Sequence, residues 1–376
     1  MFELNTLRAK LQPHLGWHGA RTLFVAAFLI ALFRAKTVNL SELATVFPGL
    51  AKPESHYKQQ QRFFRAFELD YAVIARLVVA WMAIPEPWVL AVDRTQWDVG
   101  KTPVNILTLG VVHEGIAFPL VWVMLDKKGN SNTDERIDLM ERFYELFPHV
   151  RVRCLTTDRE FVGADWLSYL LLAPDAKSAT PFRMRIRDSE MLYDGHRSLK
   201  VRTVFAHLQP GQTQALPKRR RLWGRWVYVA ATRMNNNKLL VVATDQAPET
   251  AIADYALRWS IETLFGMFKS RGFCLEETSM RDSERLRCDP ASLCGARERA
   301  PRLKKLFALL TLALCWAVKV GQWLNHVKPL VVKAHGRLAK SVFRYGFDHL
   351  RHLCSNLARP RQQKDFQMAL CFLSCT

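Results

Sequence analysis

Residues 248–271, PETAIADYALRWSIETLFGMFKSR, place a phenol, a guanidinium, a carboxylate and an ammonium on one side of an otherwise apolar helix. Tyr255, Arg258, Glu262 and Lys269 follow the spacing Tyr-x2-Arg-x3-Glu-x6-Lys. At about 100° per residue they fall near 0°, −60°, −20° and −40° on a helical wheel. Ile252, Leu257, Trp259, Ile261, Leu264, Phe265, Met267 and Phe268 make the rest apolar, which predicts a helix buried on most sides. Buried charge without a partner is costly, so the stripe must face ion-pair partners, a cleft or a ligand. An ion-paired interior helix and a functional surface both meet that condition, and residues upstream decide between them.

The charge balance narrows the partner. The chain has 376 residues, room for two or three domains, with 54 Lys+Arg against 34 Asp+Glu and a formal net charge of +20. Hydrophobic content of 49% and charged content of 23% are those of a globular protein. The excess of cations favours a polyanion, either nucleic acid or an anionic membrane surface. The apolar runs at 22–33 and 306–318 are shorter than the roughly 20 residues that cross a bilayer, so they predict core helices. The expectation is a soluble, intracellular protein with no membrane contact. The eight cysteines show neither metal spacing nor a disulfide framework. Cys288 and Cys294 stand without a nearby His or Cys pair, Cys371 and Cys375 close the chain, and Cys154 and Cys315 sit in apolar runs.

Residues 1–85 have helical periodicity throughout. The polar stretch His56-Tyr57-Lys58-Gln59-Gln60-Gln61-Arg62 leads into Phe63-Phe64-Arg65, and Lys58, Arg62 and Arg65 are candidates for phosphate contacts. Pro85-Glu86-Pro87 marks a boundary, after which the pattern turns to strands at 88–92, 105–113 and 118–125, with Glu114-Gly115 as a turn. A polar loop, 127–133, offers N-caps to a helix over 134–147. A fourth strand at 151–157, a helix over 164–172 and a fifth strand at 182–187 complete the series. Three strands, a helix, a strand, a helix and a strand outline an α/β, ribonuclease H-like core, a mixed sheet with helices on both faces.

Such a core expects another helix soon after the fifth strand, yet about sixty residues intervene before Pro248. Strand-like runs at 226–231 and 239–244 make this a β-rich insertion. It holds the densest basic cluster, Lys218-Arg219-Arg220-Arg221, followed by Trp223 and Arg225-Trp226. Cations interleaved with indoles suit nucleic acid, since phosphates are neutralised and a base can stack. The expected domains are a helical DNA-end-binding region (1–85), the catalytic core (86–188 and 248–285), the basic insertion (189–247) and a helical basic C-terminal region (286–376) suited to dimerisation.

Two aspartates stand where strands end: Asp93 after 88–92 and Asp158 after 151–157. Joined by Glu262 from the helix, they form a set of hard oxygen donors such as Mg²⁺ takes. Two ions about 4 Å apart then serve an in-line phosphoryl displacement. Asp98 and Glu160 are neighbours with a lesser claim, Glu160 as a support from outside the ligand set. His113 fits a turn better than a site.

These residues resemble the DDE transposases of bacterial insertion sequences, in the YREK-signature group of insertion-sequence family four. Tyr255, Arg258, Glu262 and Lys269 match the signature without a spacing departure. Asp93-Arg94-Thr95 and Thr157-Asp158-Arg159-Glu160-Phe161 match its two aspartate motifs, and Lys128-Gly129-Asn130-Ser131-Asn132-Thr133 is also typical. The resemblance covers residues 86–275 and, loosely, the helix at 302–323. It implies a catalytic, metal-holding triad of Asp93, Asp158 and Glu262 with Mg²⁺ or substituting Mn²⁺. It further implies cleavage at the element's ends and attack of the freed 3′ hydroxyl on the opposite strand or on target DNA. Tyr255, Arg258 and Lys269 would contact phosphates, and Trp226 or Trp223 would stack a flipped base. The implied partners are inverted-repeat ends, target DNA and a second copy in a synaptic homodimer, in the bacterial cytoplasm at the nucleoid. The alternatives are a ribonuclease H-like host nuclease or resolvase, and an inactive DNA-binding derivative.

Overall fold

The computed structural model describes residues 2–99, 102–172, 179–278 and 301–373, apart from 335, 337 and 358. The chain forms two compact units, Met1–Ala83 with Gln96–Val104 and Phe265–Thr376, and Ile84–Thr95 with Asn105–Leu264.

The first unit opens with five helices: α1 (Phe2–Leu15), α2 (Gly19–Ala35), α3 (Leu40–Thr45), α4 (Pro53–Ala66) and α5 (Tyr71–Met82). Their starts follow from the sequence. Asn39 caps α3 through the Ser41 amide, and the Asp70 carboxylate caps α5 through the Ala72 and Val73 amides. Pro53 occupies the first turn of α4, where its missing N–H costs nothing. The core is aromatic: Phe24 stacks on Phe63 with centroids 4.2 Å apart, and Phe28 meets Phe64 edge-on.

The strands begin with β1 (Trp88–Val99), β2 (Thr102–His113) and β3 (Ile116–Met124), of which 96–99 and 102–104 count with the first unit and the rest with the second. Glu114 and Gly115 both have positive φ, the geometry that a two-residue hairpin between twisted strands requires. Then come α6 (Thr133–Leu146), β4 (Val152–Thr157), α7 (Ala164–Leu172) and β5 (Phe182–Ile186). Asn132 and Glu135 form a reciprocal capping box at the start of α6. The inserted region contributes β6 (Met191–Tyr193), β7 (Ser198–Lys200), α8 (Val201–Val204), β8 (Thr213–Ala215), β9 (Arg220–Leu222), β10 (Arg225–Arg233) and β11 (Leu239–Thr244). It is followed by α9 (Ala251–Ala256) and α10 (Trp259–Phe268).

All eleven strands among the described residues join one mixed sheet in the order β3-β2-β1-β4-β5-β11-β10-β9-β6-β7, with β8 on β10. β1, β4 and β5 run parallel, whereas β11 pairs antiparallel with β5, so the inserted strands extend the same sheet. The expected strands at 226–231 and 239–244 are β10 and β11, and their turn places Asn237 at positive φ.

Two expectations change. Asp93 does not follow the end of its strand: β1 continues beyond it to Val99 beside β2, so Asp93 projects from a strand interior. Asp158 does follow the end of β4 directly. The stretch 248–271 is also not one straight helix. Between α9 and α10 the amides of Arg258, Ser260 and Ile261 bond three residues back, at 3.0, 3.1 and 3.0 Å, which tightens the turn. Trp259 therefore starts α10 at 61% exposed, although an apolar-face position had been expected for it.

The first unit, which the chain re-enters at Phe265, also holds α11 (Pro301–Val327), α12 (Val342–Ser355) and α13 (Pro360–Cys371). α11 is buried over most of its length and packs against α12, α5, α4 and α2. Its contact with α12 depends on two glycines: a Cβ on Gly346 would lie 1.8 Å from the Ala317 carbonyl oxygen, and one on Gly321 2.0 Å from that of Val342. No helix among the described residues is long and apolar enough to cross a membrane. Cys154, Cys315 and Cys354 are buried free thiols and Cys371 is an exposed one, while Cys288, Cys294 and Cys375 lie outside the described residues.

Candidate active site

In the second unit, parallel pairing of Val92 with Thr157 sets Asp93 and Asp158 at the next step of neighbouring strands. α9 and the turn after it bring Tyr255 and Arg258 to the same place. The Tyr255 hydroxyl donates to Asp158 Oδ1 at 3.1 Å, and Arg258 Nε donates to that hydroxyl at 3.1 Å. Arg258 Nη1 donates to Asp93 Oδ2 at 3.0 Å, and Nη2 to Glu262 Oε1 at 2.5 Å. One guanidinium thus ties together all three carboxylates expected to act, two directly and the third through the phenol.

The electrostatics differ at the two aspartates. Burial pushes Asp93 up to about 6, against the pull of Arg258 and of the Arg94 amide. Burial also raises Asp158, but the Arg159 amide, Arg258, Arg185 and the Tyr255 hydroxyl outweigh it and hold the carboxyl below its usual value. Burial pushes the Tyr255 phenol up to about 12, so it stays a neutral donor. Burial opposes the charge on Arg258, and Tyr255, Asp93, Asp158 and Glu262 reverse that, raising its pKa.

Lys269 lies in the first unit, where Nζ donates to the Gln96 carbonyl at 3.1 Å and pairs with Glu276 at 2.8 Å, 5.1 Å from the Trp97 ring centroid. Lys58 and Arg62 are exposed on α4 and, with Gln61, Arg65 and Arg302, line a cleft of about 530 Å³. In the inserted strands, Trp226 is 46% exposed opposite Arg221 in the β9–β10 pairing, with Tyr193 at 6.5 Å between centroids. Trp223 is partly buried, and its indole N–H donates to Glu190 Oε2 at 2.9 Å. Glu160 pairs with Arg94 at 3.2 Å, and Arg94 Nη2 also reaches Asn130 Oδ1 at 3.2 Å. His113 lies 3.9 Å from Glu114 at the hairpin end.

Several residues had no sequence-based assignment. Arg185 on β5 donates to Asp158 Oδ1 at 3.2 Å. Arg136 on α6, buried over the Phe161 ring, donates to the carbonyls of Glu160 at 3.0 Å and Val162 at 3.2 Å and to Ser131 Oγ at 3.0 Å. It thereby pins the turn after Asp158 to the loop before α6. The available signal was alternation: Arg183 and Arg185 recur every second residue in β5, on one face of an otherwise apolar strand.

Asp93, Asp158 and Glu262 carry hard oxygens of the type a divalent ion takes, and Arg258 bridges Asp93 and Glu262. In donor type the set suits such an ion. Among the described residues no three His, Cys, Asp or Glu side chains already stand grouped to hold an ion.

A family model described as Transposase DDE domain matches residues 84–297, more than half of the chain. Transposase DDE domains generally use a divalent metal. A search of curated proteins returns no match. Among solved structures the chain is similar to a piggyBac transposase in a cryo-EM synaptic complex with hairpin DNA. That likeness is loose, with a TM-score of 0.46 and 10% identity over 100% of this chain and 83% of that one. With its matched segment spanning Asp93, Asp158 and Glu262, the chain belongs to the transposase DDE domain family.

Proposed function

We propose that this chain is a YREK-group insertion-sequence transposase that cleaves its element's ends and joins the freed 3′ hydroxyl to target DNA by a cut-and-paste route. The observation that carries the reading is the hydrogen-bonded set Asp93–Arg258–Glu262 and Arg258–Tyr255–Asp158, which gathers five of the sequence-predicted residues in one place. The strand order β3-β2-β1-β4-β5, with β1, β4 and β5 parallel, supports a ribonuclease H-like core over 86–188 and 248–285, with 189–247 as its insertion.

In this reading Asp93, Asp158 and Glu262 would hold two Mg²⁺ ions, with Mn²⁺ as a substitute. When bound, such ions activate an attacking oxygen and stabilise a leaving one. The chain's own groups do the rest. Arg258 is a fork donor that can exchange carboxylates for a phosphate, and Tyr255 offers a neutral hydroxyl beside Asp158. Lys269 adds a point charge for the DNA backbone. Lys58 and Arg62 bind end DNA from the exposed side of α4. Trp226 is favoured over Trp223 for stacking a flipped base, because its indole is open while the Trp223 N–H is already committed to Glu190. The active species is a homodimer holding two ends, and the protein works in the bacterial cytoplasm at the nucleoid.

A joining assay tests this function. Incubated with Mg²⁺, labelled DNA ends from beside its own coding region and a target plasmid, the protein is expected to yield ends covalently joined through their 3′ hydroxyls. Cutting without joining would identify a nuclease or resolvase instead, and binding without cutting an inactive derivative.

A further inference from the structure

Beneath the carboxylates of the second unit lies an ion pair that no step above uses. Arg183 on β5 and Asp254 on α9 are each only 2% exposed. Arg183 Nε donates to Asp254 Oδ2 at 3.1 Å and Nη2 pairs with the same oxygen at 3.0 Å. Its Nη1 donates to Thr244 Oγ1 at 2.7 Å and to the Phe182 carbonyl at 3.0 Å. The Asp254 carboxylate also accepts from Arg153 on β4 through Oδ1 and from the Thr250 hydroxyl at 2.9 Å through Oδ2. One carboxylate therefore bolts α9 to β4 and β5 directly, and through Arg183 to β11.

Stability is a poor reason for this arrangement. Withdrawing two charges from water offsets most of their attraction, and apolar replacements of similar volume are often as stable. Geometry supplies a better one. α9 has only six residues, too few to hold a helix unaided, and Thr250 at its N-cap makes no side-chain capping hydrogen bond. The next residue after Asp254 is Tyr255, whose hydroxyl meets Asp158, and Arg258 follows within one turn. Apolar packing of Ala251 and Tyr255 on Ala230 and Val242 seats the helix but fixes its rotation only loosely. The paired oxygens of Asp254 fix both rotation and register.

We propose that Asp254, held by Arg183, is a positioning residue that sets the register of α9 so that Tyr255 and Arg258 meet the site carboxylates. The proposal rests on the reading of Asp93, Asp158 and Glu262 as the reaction centre. A double-mutant cycle tests it, using single-turnover cleavage of pre-nicked end DNA by the full-length protein. Asp254→Asn is expected to slow cleavage by about 10²-fold, the scale of an ångström-sized misplacement, with DNA affinity unchanged. In a background carrying both Tyr255→Phe and Arg258→Gln the same substitution is expected to cost less than about threefold, because both groups it positions are already gone. The apolar pair Arg183→Met with Asp254→Leu should unfold at a midpoint near that of the wild type and still cleave slowly.

Three results would overturn the proposal: losses that multiply across the cycle, wild-type cleavage by Asp254→Asn, or wild-type cleavage by the apolar pair. The last would mark the ion pair as structural even if Asp254→Asn alone failed to fold. Asp158→Asn is run alongside. Full cleavage by that variant would sink the reading of the reaction centre, whereas its inactivity combined with a multiplying cycle would sink the positioning role alone.

Discussion

Arg258 Nη1 lies 3.0 Å from Asp93 Oδ2, and the same guanidinium reaches Glu262, so one protein cation occupies the two carboxylates that a divalent ion would also need. An ion that took Asp93 Oδ2 or Glu262 Oε1 in the proposed site would displace the Arg258 bond to that oxygen. Charge-assisted hydrogen bonds are worth about 1.5–3 kcal/mol, and the lower figure equals roughly a tenfold change in affinity. Arg258→Gln should therefore bind Mn²⁺ about tenfold more tightly than wild type in DNA-free protein, measured by titration calorimetry, while cleaving DNA far more slowly. Weaker Mn²⁺ binding by the variant would show that Arg258 organises the donors and does not compete for them.

The two aspartates should leave separate marks on pH stability. Burial raises Asp93 to about 6 in the folded protein, from 3.8 when unfolded. The folded state then holds a proton that the unfolded state has lost, so stability is greatest below the lower value and declines as pH rises through the higher. Two units correspond to about 3 kcal/mol. In metal-free protein, denaturant unfolding should show such a decline between about pH 4 and pH 6, and Asp93→Asn should abolish it. Asp158 is shifted down, so its contribution is present above the unfolded value and is lost as pH falls below about 4.

The two tryptophans of the basic insertion should separate into a contact and a prop. Trp226→Ala removes an open indole and should lower end cleavage by about ten- to a hundredfold, as the loss of one stacked base implies. Its unfolding free energy should move by less than about 0.5 kcal/mol. Trp223→Ala should instead cost about 1–3 kcal/mol, because it strips Glu190 of its indole donor. Urea unfolding beside a cleavage assay reads both, and equal losses of stability would contradict the division.

The α11–α12 crossing has no room for a methyl group at Gly346 or Gly321. The obstructing atoms are backbone carbonyls, which cannot swing aside as a side chain does. Gly346→Ala should destabilise the protein by about 2–3 kcal/mol or more, the scale of an overpacked core. A wild-type urea midpoint for Gly346→Ala would show that the helices slide apart cheaply.

Much of this site was legible because its chemistry is spaced by chain geometry. The Tyr255–Arg258–Glu262 stripe is a matter of helical periodicity, and Asp158 directly follows the short run 151–157 that reads as a strand. The lapses have physical causes. Asp93 was placed at a strand end because the apolar run stops there, whereas pairing with β2 carries β1 on through polar residues to Val99. A uniform 100° wheel cannot register the tightened turn at Leu257 and Arg258, so Trp259 was counted with the apolar face although it is exposed. Asp254 and Arg183 are distant in sequence, and only the fold of β5 against α9 makes them partners. The arginine alternation in β5 was visible, but nothing in one strand says which carboxylates its guanidinium groups will meet.

The central claim is that Asp93, Asp158 and Glu262 form one reaction centre. Its most direct test is Mg²⁺-dependent cleavage of DNA ends from the chain's own flanking sequence by Asp93→Ala, Asp158→Ala and Glu262→Ala. The account predicts that each variant still shifts the DNA in a gel but cleaves at least about 10³-fold more slowly than wild type, the scale expected when a phosphoryl-transfer centre loses an essential group. Cleavage retained by all three variants would contradict it.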